Sequence, residues 1–459
     1  MTVASRTSQN GSEGSGRNLE FTMPSTRSSI PRAAPADSDL VAAVQAQRGL
    51  VEAFFNALAL ATGGDPGITR DTYGPGEDFA HRLLAEHGRA RGLLVERDLA
   101  ANTYVTLPGR DRTAPRLVIG SHLDSVPHGG NYDGAAGVVA GLVAIEVLSR
   151  LGITPRCDLT VMGIRAEESV WFQVSYIGSR SALGTLPAAA LAALRIDGDR
   201  TLADHIAAAG GNPEAIRAGA RHLDPATIRA FVEVHIEQAA TLVESGIPVA
   251  ICTGVPGNVR YPEARVVGRH DHVGTPRRFR RDAAMAAIDL AASLDDLWAR
   301  EEEAGIPMAI TFGRFHTDPA MHGLTTVPGS FHFSLDMRAY DPDVLARLEA
   351  AMLARIGEIE ARRNVRFELG TRASAAVGPV DPAISSALAA GAERLEIRTM
   401  PLGSPASHDA AAFAAAGIPI AMLFVRNEHG SHNPDEAMET DDFLAACTVL
   451  ADWVSREIG

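Results

Sequence analysis

Two glutamates stand side by side in "AEESVWF", Ala166–Phe172, directly after "CDLTVMGIR", an apolar run that reads as a buried strand. Adjacent side chains leaving a strand need not diverge fully, so one carboxylate can hold a cation while its neighbour handles a proton. A carboxylate bound to a cation is a poor proton acceptor, whereas an unbound one can carry a proton from water to a leaving amine. Glu168 is therefore read as a metal ligand and Glu167 as a general base. An acidic pair on its own is most often an exposed loop feature, so this reading depends on its company.

That company lies at the ends of other apolar runs. In "GSHLDSVPHGGNYDGAAG", His122 closes a strand, Asp124 follows two residues on, and Asp133 opens a turn into a helix. A ligating imidazole usually gives its other ring nitrogen to a carboxylate or carbonyl, which makes His122 a ligand and Asp124 the group that orients it. His235 lies in "FVEVHIEQ" and His432 in "HGSHNPDEAMET". Each of these motifs alone has a structural alternative, a strand-end His or a turn Asp. As a set, His122, Asp133, Glu168, His235 and His432 offer N and O donors without sulfur, which suits Zn²⁺, Mn²⁺ or Co²⁺ in a catalytic site. With Asp133 bridging, the set gives three protein ligands to each of two divalent ions.

Elements must bring these residues together. "RLVIGSHLDS", "CDLTVMGIRA", "AFVEVHIEQ" and "IPIAMLFV" read as buried strands separated by Ala/Leu-rich helices such as "GAAGVVAGLVAIEVLSR". The expected fold is α/β: a mixed, largely parallel sheet flanked by helices, with ligands at the carboxyl ends of its strands. Between residues 253 and 368 the pattern changes to strand–helix–strand–strand–helix, with helices near 281–303 and 343–362, an inserted α+β domain. The catalytic domain is thus expected in two parts, 39–252 and 369–459, after a Ser/Gly/Pro-rich tail over 1–38 that reads as disordered.

Composition narrows the function. With 42 basic and 56 acidic residues the net charge is −14, and no basic block interrupts it, so neither a nucleic acid nor an anionic membrane is the expected partner. A small-molecule substrate is. Cys157, Cys252 and Cys447 form no C-x-x-C pair and suggest a reducing compartment, and no signal-like or membrane-spanning apolar run is present, so a cytoplasmic location is expected.

The motifs, taken in order over about residues 40–459, resemble those of the dinuclear M20-type metallohydrolases, and more narrowly the branch of N-carbamoyl-L-amino-acid hydrolases, allantoate amidohydrolases and β-ureidopropionase. The resemblance implies His122, Asp133 and His235 on one metal, Asp133, Glu168 and His432 on the other, and Glu167 as general base. His235 marks the branch, since the peptidase relatives usually carry an acid there. The resemblance further implies that Gln238 contacts the ureido or amide group, that Arg338 clamps a substrate carboxylate, and that His272 polarises the scissile carbonyl. The inserted domain would be a lid that dimerises, hinged near 250–255 and 365–372, with His272 delivered to the partner's site. His408 and Asp409 resemble a helix-start signature that supports the site.

The implied reaction is hydrolysis of an N-carbamoyl-L-amino acid, with allantoate or a related ureide as the alternative and an aminoacylase or dipeptidase further off. An inactive binding protein of the same fold would lack a ligand or the base, and none is missing. Departures from the family pattern fall around the substrate: Ser169 and Trp171 after the Glu pair, Ala239-Ala240 after "HIEQ", Pro276-Arg277 in the lid motif, Thr325 where an asparagine is usual, and Ser407 ahead of His408.

Overall fold

The four long apolar runs form the centre of an eight-stranded sheet, in the order Leu159–Ile164, Arg116–His122, Ile228–Ile236, Ile420–Val425. All three neighbouring pairs among them are parallel. Antiparallel strands Thr103–Leu107 and Leu94–Arg97 extend one side; Val249–Cys252, antiparallel to Ile420–Val425, and Thr399–Leu402 extend the other. The computed structural model describes residues 35–459. Most of the tail expected over 1–38 therefore lies outside the described residues, and Asp37 and Ser38 already open the first helix, Asp37–Gln45.

Helix Ala135–Arg150 is buried along nearly its whole length between the sheet and the closing helix Thr440–Ile458. Its small residues permit this. A Cβ on Gly137 would stand 2.4 Å from the Val234 carbonyl oxygen, so only glycine allows the helix to lie this close to the strands. One core, including Ile119, Val143, Val232, Leu423 and Trp453, fills this face; another, with Phe231, Phe413 and Phe424, fills the opposite face.

The second sheet is antiparallel, in the order Phe315–Thr317, Ser330–Ala339, Gly257–Val267, Arg366–Glu368, with Met308–Thr311 and Ala373–Ala375 also attached. Helices Ala283–Glu303 and Pro342–Arg363 contribute to its separate core. Along Ser330–Ala339 burial alternates with the period of a strand: Phe331, Phe333, Leu335, Met337 and Ala339 are buried, while Asp336 and Arg338 lie on the other face. An inserted α+β unit is thus present. Its sheet reaches further than residue 368, because Ala373–Ala375 pairs with Asn258–Arg260. Among the described residues no helix is long and apolar enough to cross a membrane.

Candidate metal centre and active site

His122 is the last residue of its strand, His235 the penultimate residue of the next, and the Glu pair and His432 follow the ends of the two flanking strands. All four therefore converge at the carboxyl edge of the parallel strands. Asp133 reaches the same place from the turn before helix Ala135–Arg150. Gly134, at φ +69°, shapes that turn, and a Cβ there would lie 2.5 Å from the His122 ring.

Asp133 lies between two sets of donors. Its Oδ1 is 3.3 Å from His122 Nε2 and 3.1 Å from His235 Nε2. Its Oδ2 is 3.5 Å from His432 Nε2, which in turn is 3.4 Å from Glu168 Oε1. Both groups have the spacing of cation sites. The fit can be tested on hydrogen bonding. His235 Nδ1 meets the Ile236 carbonyl at 2.9 Å, which requires a proton on Nδ1, so that in the neutral ring the lone pair is on Nε2. That Nε2 and Asp133 Oδ1 are both buried without a hydrogen-bond partner. Two facing acceptors are stable only with a cation or a proton between them. His122 repeats the arrangement, its Nδ1 3.1 Å from the Asp124 carbonyl. The donor set suits a divalent cation.

Asp124 differs in detail from the expectation. Its main-chain oxygen makes the closer approach to His122; the carboxylate, 3.5 Å from the ring, is occupied elsewhere. It accepts the backbone N–H of Glu167 at 3.1 Å, that of Glu168 at 3.2 Å, and the Thr72 hydroxyl at 2.5 Å. One buried aspartate thus holds both the imidazole and the backbone of the acidic pair.

The electrostatics follow from this crowding of acids. Burial pushes the Glu167 carboxyl well above the usual range, and Glu168, Asp409 and Asp124 add to it. Burial would raise Asp133 too, but the His235 and His122 rings outweigh it and hold that group well below. The hydrogen bond to Glu168 raises His432 to about 9. Beneath the site, Glu233 accepts from Ser121 at 2.6 Å and from Ala410 N–H at 3.0 Å, while His408 pairs with Ser404 at 2.8 Å. His408 and Asp409 are buried there as the start of helix Asp409–Ala415.

Sequence reasoning missed several supports. Arg70 is wholly buried and gives its guanidinium to the carbonyls of Leu123, Asn131 and Asp133, fixing the loop that carries Asp124 and Asp133. Glu436 accepts the N–H groups of Tyr132 at 2.8 Å and Asp133 at 3.2 Å, and Ser431 donates to both Asp133 and Glu436. Only Glu436 carried a signal, an acid in the same motif as His432. Trp171, a departure from the family pattern, is buried over Arg195 and donates to the Ser125 carbonyl at 2.9 Å, bracing the segment after the Glu pair.

Comparison with known proteins agrees with the donor set. The profile of Peptidase family M20/M25/M40 matches residues 118–456. The chain belongs to this family. The M20 chain is 33% identical over 388 residues to an N-carbamoyl-L-amino acid amidohydrolase of Geobacillus stearothermophilus, covering 84% of this chain and 92% of that one. It is 28% identical over 405 residues to the allantoate amidohydrolase of Escherichia coli K12, covering 85% and 93%. A hydantoinase/carbamoylase family amidase from Burkholderia phymatum superposes with a TM-score of 0.73 at 28% identity, over 92% of this chain and 97% of that structure. The resemblance drawn from the motifs is borne out, and this M20 protein is a hydrolase.

Gln238 joins the cluster, donating to Asp133 Oδ2 at 3.0 Å, with its own Oε1 buried and unpartnered. The remaining expected residues belong to the second sheet unit. His272 is exposed and pairs with Thr326 in a short ladder, and Val273 N–H donates to the Thr325 carbonyl, so His272 and Thr325 are neighbours. Arg338 is half-buried, bonded to Asp336 at 3.0 and 3.2 Å; Arg260 shares that carboxylate at 2.8 Å. Burial lowers the Arg338 pKa, the Asp336 bonds outweigh it, and Tyr176 lies within its field. Among the described residues, His272, Thr325 and Arg338 make no hydrogen bond or ion pair with the metal-ligand candidates.

Proposed function

We propose that this hydrolase is a two-metal amidohydrolase that converts an N-carbamoyl-L-amino acid and water into the amino acid, CO₂ and ammonia. The observation that carries the reading is Asp133, whose two oxygens each face a separate donor group, beside a Glu167 that belongs to neither. His122, Asp133 and His235 would hold one ion and Asp133, Glu168 and His432 the other. Divalent ions of the Zn²⁺, Mn²⁺ or Co²⁺ kind supply Lewis acidity, lowering the pKa of water and polarising a carbonyl.

The chain's own residues do the rest. Glu167 takes a proton from the attacking water and passes it to the departing nitrogen. Gln238 Oε1, lacking a partner, suits a ureido N–H donor. Arg338 exchanges Asp336 for the substrate carboxylate, a match for its planar fork. His272, supplied by the lid of a second subunit, donates to the carbonyl oxygen as negative charge develops there. The buried free cysteines suit work in a reducing cytoplasm.

The experiment is a substrate panel: metal-loaded protein with N-carbamoyl amino acids, allantoate, N-acyl amino acids and dipeptides, reading ammonia and amine release. Ammonia from N-carbamoyl-L-amino acids is the expected result. Activity confined to dipeptides would overturn the proposal, and activity confined to allantoate would move it to the ureide branch, which the similarity to the Escherichia coli protein makes the second reading.

A further inference from the structure

One residue beyond Glu168 begins a cavity of about 660 Å³ that the proposed reaction does not use. Ser169, Tyr176 and Arg180 line it from the segment after the Glu pair, Asn258 and Arg260 from the second sheet, and alanines of 373–376 and 411–416 complete its wall. Tyr176 connects it to the chemistry, since its backbone N–H donates to the Glu167 carbonyl at 3.2 Å. The volume falls in the range of small-molecule sites and leaves room beyond a ureido group for a substituent of several atoms.

Its charge is unlike that of the molecule. The chain carries −14 overall, yet among the described residues no Asp or Glu lines this cavity. Arg260 and Arg338 share the single carboxylate of Asp336, leaving one positive charge over between them. Arg180 is half-buried, and among the described residues its guanidinium has no hydrogen bond, ion pair or aromatic partner. Burial disfavours its charged form, and only the field of Tyr176 opposes this. A partly desolvated, unpaired guanidinium is costly unless a ligand supplies the anion. Arg338 is already assigned to the carboxylate next to the scissile nitrogen, so Arg180 calls for a second one.

We propose that Arg180 is a specificity-determining residue that pairs with an acidic group at the end of the substrate's side chain, so that the preferred substrate is dianionic. This rests on the amidohydrolase reading, with the cavity taking the side chain and the alanine wall accommodating its methylenes.

The test compares N-carbamoyl-L-glutamate with N-carbamoyl-L-glutamine, near-isosteres that differ by one charge, on the metal-loaded wild type, Arg180→Gln and Arg180→Lys. The wild type is expected to favour the glutamate compound in kcat/KM by about tenfold or more, the scale of one charge-assisted contact. Arg180→Gln should bring the ratio close to one, chiefly through KM, and Arg180→Lys should keep part of it. The same pair is then titrated into Glu167→Gln protein with and without Arg180→Gln, to read binding without turnover. Turnover of both compounds with no acid preference, or a preference unchanged in Arg180→Gln, overturns the proposal and leaves the amidohydrolase reading intact. No turnover of any ureido compound, with binding of the glutamate compound that still needs Arg180, overturns that reading and keeps the anion pocket. Absence of both turnover and binding overturns the proposal.

Discussion

Protons and cations compete for the same lone pairs around Asp133. Without a cation, His432 titrates near 9 because Glu168 accepts its proton, so below that pH a cation must displace this proton before His432 can ligate. Apparent metal affinity should therefore rise with pH toward about 9, by about tenfold per unit for each proton displaced. Titration calorimetry in buffers of different ionisation enthalpy at about pH 7.5 should detect proton release; an affinity independent of pH together with a binding enthalpy independent of buffer would contradict the assignment of His432. The metal-free protein should show the opposite trend in stability. A folded pKa raised above the unfolded value of about 6.5 contributes stability that is complete below that pH and lost as pH rises through the folded value. The donor residues were legible because each ends or follows an apolar run or, for Asp133, opens the turn into one. Arg70 was not, because "GITRDTYG" has no periodicity and its three carbonyl partners come together only in the folded loop.

Elements set the tolerance of the site. Gly134 combines a left-handed φ of +69° with a missing Cβ that would press on the His122 ring. Gly134→Ala should cost on the order of 1–3 kcal/mol from the backbone conformation alone, and should lower metal content as His122 is displaced. Gly49, in helix Arg48–Thr62, is the control, because a Cβ added there would meet nothing within 4 Å: Gly49→Ala should leave metal content unchanged and hold or raise Tm. Wild-type metal content in Gly134→Ala would contradict the positional role given to this turn. The central parallel strands could be read from continuous apolar runs, as buried strands require. The edge strands Leu94–Arg97 and Thr399–Leu402 could not, since they are short and partly exposed and carry no clear alternation. Ala373–Ala375 carries no strand signal beyond its pairing with Asn258–Arg260.

At the scale of the molecule, the expected site is divided between two units. Metal-ligand candidates come from the large sheet, whereas His272 is exposed in the second unit and makes no described polar contact with them. Large apolar side chains left exposed in that unit include Val273, Phe279, Ile288 and Leu324. If the partner completes each site, mixing His272→Ala with Glu167→Gln under subunit exchange should restore activity to roughly a quarter of wild type, because half the dimers then hold one whole site. No recovery after proven exchange would assign His272 to its own subunit or to no catalytic role. The central claim, that Glu167 moves the proton while other residues hold the metals, is tested most directly by following ammonia release from an N-carbamoyl-L-amino acid as metal is added to metal-free wild type and Glu167→Gln, with bound metal measured in the same samples. The account predicts that both proteins bind two ions per chain, that wild-type activity rises with occupancy, and that the Gln variant at full occupancy stays about 10²–10⁴-fold slower. Near-normal turnover by the fully loaded Gln variant, or loss of its metal, would contradict it.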